Sequence, residues 1–410
     1  MKALFICLTD YQMLNALNIK TNLLKDKEAD IIVFNNKAGL EDLVKRLQNT
    51  KIFSNVYLYT EKFTDLHKYV RNLSENKKGI SFGTAFSNTV KNMWIKVLSK
   101  VESAEKNINR GIINNKIIDF SQYDEIFGIE TKAFVSKCIG LVLEKQKGKC
   151  IVNSIDEGLA SYLSKGIKGK HRIDNIYLYA PEMAIYKDSF ANIITIPKIK
   201  KVDTEFIKTL NFIFGFSEDD KIDLQNKIIF FDQNWDAMPK YLRNLTGIKK
   251  ILFGNLHKRH LKESVIYDAK IKMFGILTKI MQPAKVWVKL HPRSNNEFID
   301  DYKNNGAEFL PNITAPWEVF GCNCNIKNNL WVTIHSSALC AYDFTIDAEN
   351  QNKFIFLYKF ILKNVHNIDE INRFFENFQS HHSKNVFLPK DEDEFIELSK
   401  ELKNEESVPK

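Results

Sequence analysis

The stretch Val286-Trp287-Val288-Lys289-Leu290-His291-Pro292-Arg293 is a short apolar run, rich in β-forming residues, that ends in polar residues. Two other stretches have the same form: Ile151-Val152-Asn153-Ser154-Ile155-Asp156-Glu157-Gly158 and Leu330-Trp331-Val332-Thr333-Ile334-His335-Ser336-Ser337. Similar runs recur along the chain between longer stretches of helical periodicity, a pattern typical of βα units around mostly parallel sheets. The sequence therefore predicts an α/β protein.

The predicted strands form two series, separated by a polar and charged stretch around residues 217–226. A chain of 410 residues also exceeds what one hydrophobic core usually serves. We therefore expect two α/β domains, 1–205 and 220–388, followed by an acidic helix within 389–410. Residues 61–115 are polar and helical in pattern and are expected to form an insertion or a helical hairpin. The predicted strands are 3–8, 30–34, 56–59, 125–128, 149–153, 193–196, 228–231, 251–254, 286–290, 308–310, 330–334 and 354–357.

Composition excludes several classes of protein. An apolar fraction of 44% and a charged fraction of 27% rule out a disordered, collagenous or disulfide-scaffold chain. The formal net charge is +9, and because residues 391–410 hold eight acidic and three basic side chains, the preceding residues carry +14. Such a cationic body favours acidic partners. The basic residues are not clustered with aromatic ones, so no nucleic acid partner is expected, although a non-catalytic polyanion-binding protein stays an alternative.

The cysteines and the apolar segments bear on the compartment. Six cysteines without C-x-x-C spacing predict reduced thiols in the cytoplasm. Cys322 and Cys324, with His335 nearby, do not make a recognisable set of four zinc ligands, so no metal is expected. The first residues are interpreted as a buried strand instead of a signal peptide. The basic, aromatic run 353–360 fits either peripheral contact with the inner membrane surface or a buried strand and helix start.

An acid pair, Asp156-Glu157, directly follows a predicted strand and precedes Gly158. Open α/β sheets bind ligands at the carboxyl ends of their strands, so one of these carboxylates is a candidate general base. The alternative is that Asp156 caps the following helix and Glu157 is solvated.

A histidine and a serine pair end two later strands. Pro292 fixes a turn and holds His291 extended at the strand tip, beside Lys289 and Arg293. An imidazole there could donate a hydrogen bond or a proton to a leaving phosphate oxygen. The serines 336–337 at the start of a helix, together with backbone N–H groups, could hold an anion. The alternatives are a surface histidine in a β-turn and plain capping by the serines.

These motifs resemble those of a known enzyme family. Asp156-Glu157-Gly158 is similar to the acid-acid-Gly motif of the bacterial lipooligosaccharide sialyltransferases (glycosyltransferase family 52) and the related capsular polysialyltransferases. Lys289-Leu290-His291-Pro292 resembles their His-Pro motif, and Ser336-Ser337 resembles their Ser/Thr motif. Pro316 and Glu318 resemble a Pro-x-Glu element between the two. The resemblance spans about residues 1–360 through short motifs.

The resemblance implies a GT-B fold, in which two Rossmann-like domains face a central cleft. The acceptor would bind on the side of domain 1–205 and the CMP-sugar in domain 220–388. The implied activity is inverting transfer of sialic acid from CMP-sialic acid to a galactose or sialic acid hydroxyl of a lipooligosaccharide or capsular glycan, with no cofactor. Related enzymes that use a hexose or Kdo donor are an alternative, and a homodimer is one implied assembly.

The resemblance also implies roles for individual residues. Asp156 or Glu157, with Asp156 preferred, would take the proton of the acceptor hydroxyl. His291 would donate a hydrogen bond or a proton to the leaving phosphate. In the lipooligosaccharide branch the base lies upstream of the His-Pro motif, which makes Asp268 a lower-ranked candidate. The implied substrate-binding residues are Gly158, Lys289, Pro292, Arg293, Pro316, Glu318, Ser336 and Ser337.

Overall fold

The computed structural model describes residues 2–35, 39–60, 112–113, 116–130, 133–163, 169–186, 191–233, 254–291, 299–311, 315–347, 351–363, 367–382 and 384–405. The chain forms two compact units, the first comprising 1–157, 167–178 and 188–197, and the second comprising 158–166, 179–187 and 198–410. Three short segments of the expected domain 1–205, namely 158–166, 179–187 and 198–205, thus belong to the second unit. Most of the expected insertion 61–115, and residues 251–253 of a predicted strand, lie outside the described residues.

Aromatic packing explains why segment 158–166 belongs to the second unit. The ring of Tyr162 is fully buried, with its centroid 5.3 Å from that of Phe344 and 5.8 Å from that of Phe374. In segment 179–187, the carbonyl of Glu182 accepts a hydrogen bond of 3.0 Å from the side chain of Asn377. Both segments are therefore held by residues far along the chain.

The first unit is built on a seven-stranded sheet of order β3-β2-β1-β6-β7-β8-β9, in which every paired strand is parallel. Its strands, with the separate antiparallel pair β4-β5, are β1 (Lys2–Cys7), β2 (Glu28–Asn35), β3 (Asn55–Thr60), β4 (Ile112–Ile113), β5 (Lys116–Ile117), β6 (Tyr123–Phe127), β7 (Ile151–Ile155), β8 (Asn175–Leu178) and β9 (Asn192–Thr195). Its helices are α1 (Asp10–Asn22), α2 (Leu40–Thr50) and α3 (Ala133–Lys145).

The inner strand β1 shows why this sheet is parallel. Residues 3–7 are all buried, so the strand is apolar on both faces instead of alternating. Such strands occur where helices cover both sides of a parallel sheet. The helix α1 begins directly after β1, with Thr9 as its N-cap accepting a hydrogen bond from the backbone N–H of Gln12.

The second unit contains a six-stranded parallel sheet of order β13-β12-β11-β14-β16-β17. Its elements in chain order are α4 (Leu159–Tyr162), β10 (Ile199–Lys200), α5 (Thr204–Phe214), β11 (Ile228–Phe231), α6 (Gly254–Met281), β12 (Val286–Lys289), α7 (Ile299–Lys303), β13 (Glu308–Phe309), α8 (Trp317–Asn323), β14 (Leu330–Thr333), α9 (Ser337–Thr345), β15 (Ile346–Asp347), β16 (Lys353–Phe356), α10 (Tyr358–Ile361), α11 (Ile368–His381), β17 (Val386–Phe387) and α12 (Glu392–Asn404). The strands β10 and β15 pair separately. The α/β class with two Rossmann-like sheets, the two components of a GT-B fold, is confirmed.

The two faces of the second sheet differ in character. One face carries Phe230 and Val288 and packs against α6 and α12 through Phe274 and Phe395. The other face is aromatic, and the ring of Phe231 lies edge-on to that of Trp317 at a centroid distance of 5.2 Å. Residues at the ends of β11, β12 and β14 therefore point to one of two distinct environments.

Two observations concern segments near the end of the chain, 353–360 and the acidic segment. In the run 353–360, Phe354, Phe356 and Tyr358 are buried, which agrees with the strand and helix-start interpretation. The acidic segment after Pro389 forms α12, and the side chain of Asp391 caps it by accepting from the backbone N–H of Glu394. This helix buries Phe395 and Leu402 and so belongs to the core of the second unit.

Candidate functional site

The carboxyl edge of the second sheet brings three loops together. Phe231 at the end of β11 pairs in register with Lys289 of β12 on one side and with Thr333 of β14 on the other. The chain therefore leaves the sheet at one level after each of these strands. The connection after β11 runs to β12 on one side of the sheet, whereas the connection after β14 runs towards β16 on the other side. The gap between β11 and β14 is therefore the topological switch point, where open α/β sheets bind ligands.

Lys289 is the last residue of β12 and lies on the aromatic face. Its Nζ is 6.0 Å from the centroid of the Phe231 ring and 5.7 Å from that of Trp317. Burial lowers the pKa of Lys289, while the carboxylates of Glu318 and Asp232 act in the opposite direction. The described groups that act on its charge are therefore the ring faces of Phe231 and Trp317 and the carboxylates of Glu318 and Asp232.

His291 follows β12 after one intervening residue, and its side chain is half-buried. It lies on the same sheet edge as Lys289, as the sequence predicted from the strand end. The neighbouring predicted residues Pro292 and Arg293 lie outside the described residues.

Ser336 caps the helix α9, which follows β14. Its Oγ accepts a hydrogen bond of 3.3 Å from the backbone N–H of Ala338, and its own N–H donates to Thr333 Oγ1 at 3.3 Å. The Thr333 hydroxyl in turn donates to the carbonyl of Phe231 at 3.1 Å. The capping role foreseen as an alternative is therefore present, and the first turn of α9 is fixed to the end of β11. Ser337 is the first residue of α9, and its side chain is not among those that the structure describes.

Pro316 and Glu318 lie at the start of α8. Pro316 is the N-cap residue, and Glu318 is 5% exposed in the first turn, where a negative charge is favoured by the helix dipole. Trp317, which lies between them in the chain, places its ring centroid 5.7 Å from Lys289 Nζ. Both predicted residues therefore flank a tryptophan whose ring lies beside Lys289.

The acid pair lies at the carboxyl end of β7 in the first unit. Asp156 is fully buried, whereas Glu157 is half-buried. The carbonyl of Asp156 accepts a hydrogen bond of 2.8 Å from the side chain of Asn15, a fully buried residue of α1. The backbone of the acid pair is therefore held by both β7 and α1.

The N-cap residue of the short helix α4 is Gly158. The alternative in which Asp156 caps this helix therefore places the cap residue two positions too early. Gly158 has φ of 82° and ψ of −148°, a conformation that L-residues with a Cβ atom avoid. The glycine thus lets the chain turn sharply after the acid pair, at the point where it passes from the first unit to the second.

Asp268, the lower-ranked candidate base, is an exposed residue of α6. The residue before it, Tyr267, is buried and donates a hydrogen bond from its hydroxyl to Asp301. Its partner Asp301 lies in α7, so the buried face of this part of α6 is directed at α7. Asp268 is not on that face.

The sequence analysis did not find a polar network at the end of β11. Lys270 of α6 and Asp232 form an ion pair of 2.6 Å whose side chains are each 3% exposed. The hydroxyl of Tyr302 donates to the same Asp232 oxygen at 2.6 Å, and Lys270 also donates to the carbonyl of Gln233 at 3.0 Å. The signal available was the position of Asp232, directly after an apolar strand, which matches that of Asp156.

A second missed contact joins the loops on either side of the switch point. Gln233 Oε1 accepts hydrogen bonds from the backbone N–H of His335 at 2.9 Å and from its Nδ1 at 3.1 Å. Burial lowers the pKa of His335 to about 4, so the imidazole is neutral at neutral pH. Because the glutamine oxygen can only accept, the proton of the neutral ring is on Nδ1.

Two features are absent from the described part of the chain. Its histidine, cysteine, aspartate and glutamate side chains include no group of three or more arranged to hold a metal ion. Among its helices none is both long and apolar enough to cross a membrane.

Comparison with known proteins gave only distant structural likenesses. No family model matches the sequence, and no curated protein matches it. A structure of MurG from Acinetobacter baumannii aligns with 98% of this chain and 89% of its own, at 9% identity and a TM-score of 0.41. UGT2 of Phytolacca americana, complexed with UDP-2-fluoro-glucose and pterostilbene, aligns over 99% and 90% at 7% identity and a TM-score of 0.45.

A third structure, UGT89C1 of Arabidopsis thaliana complexed with UDP-L-rhamnose, aligns with 99% of this chain and 89% of its own, at 11% identity and a TM-score of 0.42. Similarities this distant do not indicate a shared function. The functional argument therefore depends on the residues of this chain.

Proposed function

We propose that this protein is an inverting glycosyltransferase that moves sialic acid from CMP-sialic acid to a galactose or sialic acid hydroxyl of a lipooligosaccharide or capsular glycan. One observation carries the proposal. The register of β12, β11 and β14 brings the loops of His291 and Ser336 to one edge of the second sheet, on either side of its central strand. Those two residues belong to the stretches that resemble the His-Pro and Ser/Thr motifs.

The chemistry of this edge suits the anionic part of a nucleotide donor. The first turn of α9 offers backbone N–H groups and the positive end of a helix dipole, which favour a phosphate. Lys289 contributes positive potential from a desolvated position, where electrostatic interactions are stronger than in water. The buried carboxylate of Glu318 would repel an anion, and the positive charge of Lys289 would offset that repulsion.

In the proposed reaction, the acceptor oxygen forms a bond to the anomeric carbon of sialic acid as the bond from that carbon to the CMP phosphate oxygen breaks. The electron pair of the broken bond leaves with CMP, and His291 donates a hydrogen bond or a proton to the departing phosphate. The acceptor's proton passes to one member of the acid pair. We prefer Asp156 because both β7 and Asn15 hold its backbone, and a base is most effective when its position is fixed.

A donor screen tests the proposal. The protein is incubated with CMP-sialic acid, CMP-Kdo or UDP-hexoses, each with and without a galactose-terminated acceptor, and nucleotide release is measured. We expect acceptor-stimulated release of CMP from CMP-sialic acid, with an inverted anomeric configuration in the product. Turnover of CMP-Kdo or a UDP-hexose alone would establish the alternative donors. Binding to any polyanion that weakens steeply with salt, without turnover of any donor, would indicate a non-catalytic protein.

A matched pair of cap variants tests the role of Ser336. Ser336→Ala removes a helix cap, which by itself costs about 1 kcal/mol of stability, and is expected to weaken CMP binding by about 1–3 kcal/mol as well. Asp391→Ala removes the cap of α12 in the same unit and should lower stability without changing CMP affinity. Equal CMP affinity in the wild type and Ser336→Ala, measured by calorimetry, would leave Ser336 with the capping role alone.

A further inference from the structure

The contact between Gln233 and His335 links two loops that are 102 positions apart in the sequence. Gln233 follows β11, and His335 immediately precedes the Ser336 cap of α9. One glutamine oxygen accepts from both the backbone and the ring of His335, at 2.9 Å and 3.1 Å. The loop before α9 is thus held at two points by a single side chain.

The backbone of Gln233 is itself anchored. Its carbonyl accepts from Lys270 Nζ at 3.0 Å, and the preceding residue, Asp232, holds the same Nζ at 2.6 Å. The N–H of Asp232 also donates to the carbonyl of Lys289 at 2.9 Å. Gln233 therefore presents its side chain from a segment fixed to both α6 and β12.

The identity of the residue matters as well as its position. A glutamine offers the acceptor oxygen that His335 requires without adding a negative charge beside the first turn of α9. A glutamate would accept the same hydrogen bonds but would repel an anion bound at that turn. A neutral acceptor is the choice that serves both needs.

We propose that Gln233 is a positioning residue for the phosphate of the nucleotide donor: by holding His335, it sets the place of the Ser336 cap and of the first N–H groups of α9. This inference rests on the proposed function, because it assigns the phosphate to that turn. It predicts that Gln233 acts on the phosphate of the ligand and not on its nucleoside.

The experiment compares CMP with cytidine, which lacks the phosphate. Gln233→Ala is expected to lower CMP affinity about tenfold, which is the effect of losing about one hydrogen bond to a charged group. Its affinity for cytidine should stay within about twofold of that of the wild type. Gln225→Ala is the matched control. Gln225 lies before β11, and its Oε1 accepts a hydrogen bond of 3.0 Å from Asn325, so the variant loses a similar contact away from the carboxyl edge. It should bind both ligands as the wild type does.

A spectroscopic measurement accompanies the binding data and does not depend on any ligand. In the wild type, nitrogen NMR of His335 should show the proton on Nδ1, and Gln233→Ala should release this preference. Gln233→Glu should keep the proton on Nδ1 yet still bind CMP less tightly than the wild type. These two variants separate the loss of the contact from the addition of charge, and either one suffices if the other does not fold.

The outcomes distinguish the two proposals. Wild-type protein that binds neither CMP nor cytidine would overturn the proposed function, and this role of Gln233 with it. Wild-type protein that binds CMP, with equal affinity in Gln233→Ala, would overturn only the positioning role. Equal losses for CMP and cytidine would also overturn it, because they would mean that Gln233 supports the loop in general.

Discussion

Replacing Lys270 by methionine should destabilise the second unit by about 3–5 kcal/mol, because it removes the cation that directly contacts a buried carboxylate. Lys270 Nζ lies 2.6 Å from Asp232 Oδ1, and both side chains are 3% exposed, so water cannot replace the lost cation. The hydroxyl of Tyr302, which also contacts this oxygen at 2.6 Å, is neutral and cannot balance the charge. Methionine keeps most of the length and packing of the lysine stem.

The double variant Lys270→Met with Asp232→Asn gives the sharper result. It removes both charges and leaves an amide oxygen that can still accept from Tyr302. We expect it to recover at least about 2 kcal/mol relative to Lys270→Met alone, since the cost lies in the unpaired charge more than in the lost contact.

Urea unfolding followed by tryptophan fluorescence measures these changes, because Trp287 and Trp331 lie in the second sheet and Trp317 packs on it. Lys272→Met is the control on the same helix. Its ion pair with Glu392 has the same length, 2.6 Å, but the side chains are 60% and 37% exposed, so its removal should cost less than about 1 kcal/mol. Equal costs for the two lysine variants, or an additive double variant, would refute the reasoning.

Two further predictions concern turnover of the proposed donor. His291→Ala should lower kcat by about a hundredfold or more without unfolding the protein, since a positioned acid commonly contributes 10² to 10⁴; unchanged kcat would remove His291 from the mechanism. Asp156→Asn and Glu157→Gln should differ, one nearly inactive and the other only impaired, because neighbouring residues at a strand end point in different directions. The wild-type protein should keep its activity in EDTA, and a loss of activity that manganese or magnesium restores would instead make the pair metal ligands. Near-wild-type rates in both, with Asp268→Asn inactive, would move the base to α6.

The sequence predicted the strand ends well because a parallel strand buried on both faces leaves a continuous apolar run. The runs before Asp156, His291 and Ser336 all end where a strand ends. By contrast, β8 (Asn175–Leu178) and β17 (Val386–Phe387) were not predicted, because so few apolar residues do not form a recognisable period. Their place in a sheet is decided by the strands they pair with.

The ion pair of Lys270 with Asp232 could have been anticipated in part. The buried positions of α6 form one helical stripe that includes Tyr267, Lys270, Phe274, Leu277 and Met281. A lysine at a stripe position predicts a buried partner, because an unpaired cation there is costly. The sequence could not name that partner, since Asp232 is 38 residues away and only the sheet register brings it near. The same holds for Gln233 and His335.

The proposed roles fall on different parts of the chain, and this makes them separable by experiment. Ser336 and Gln233, in the second unit, are assigned to the donor phosphate, whereas Asp156 and Glu157, in the first, are assigned to the acceptor proton. Variants of the acid pair should therefore lose turnover and keep CMP affinity, while Ser336→Ala should lose both. If Asp156→Asn abolished CMP binding as well, the carboxylate would be acting on the donor, and the acceptor proton would need another base.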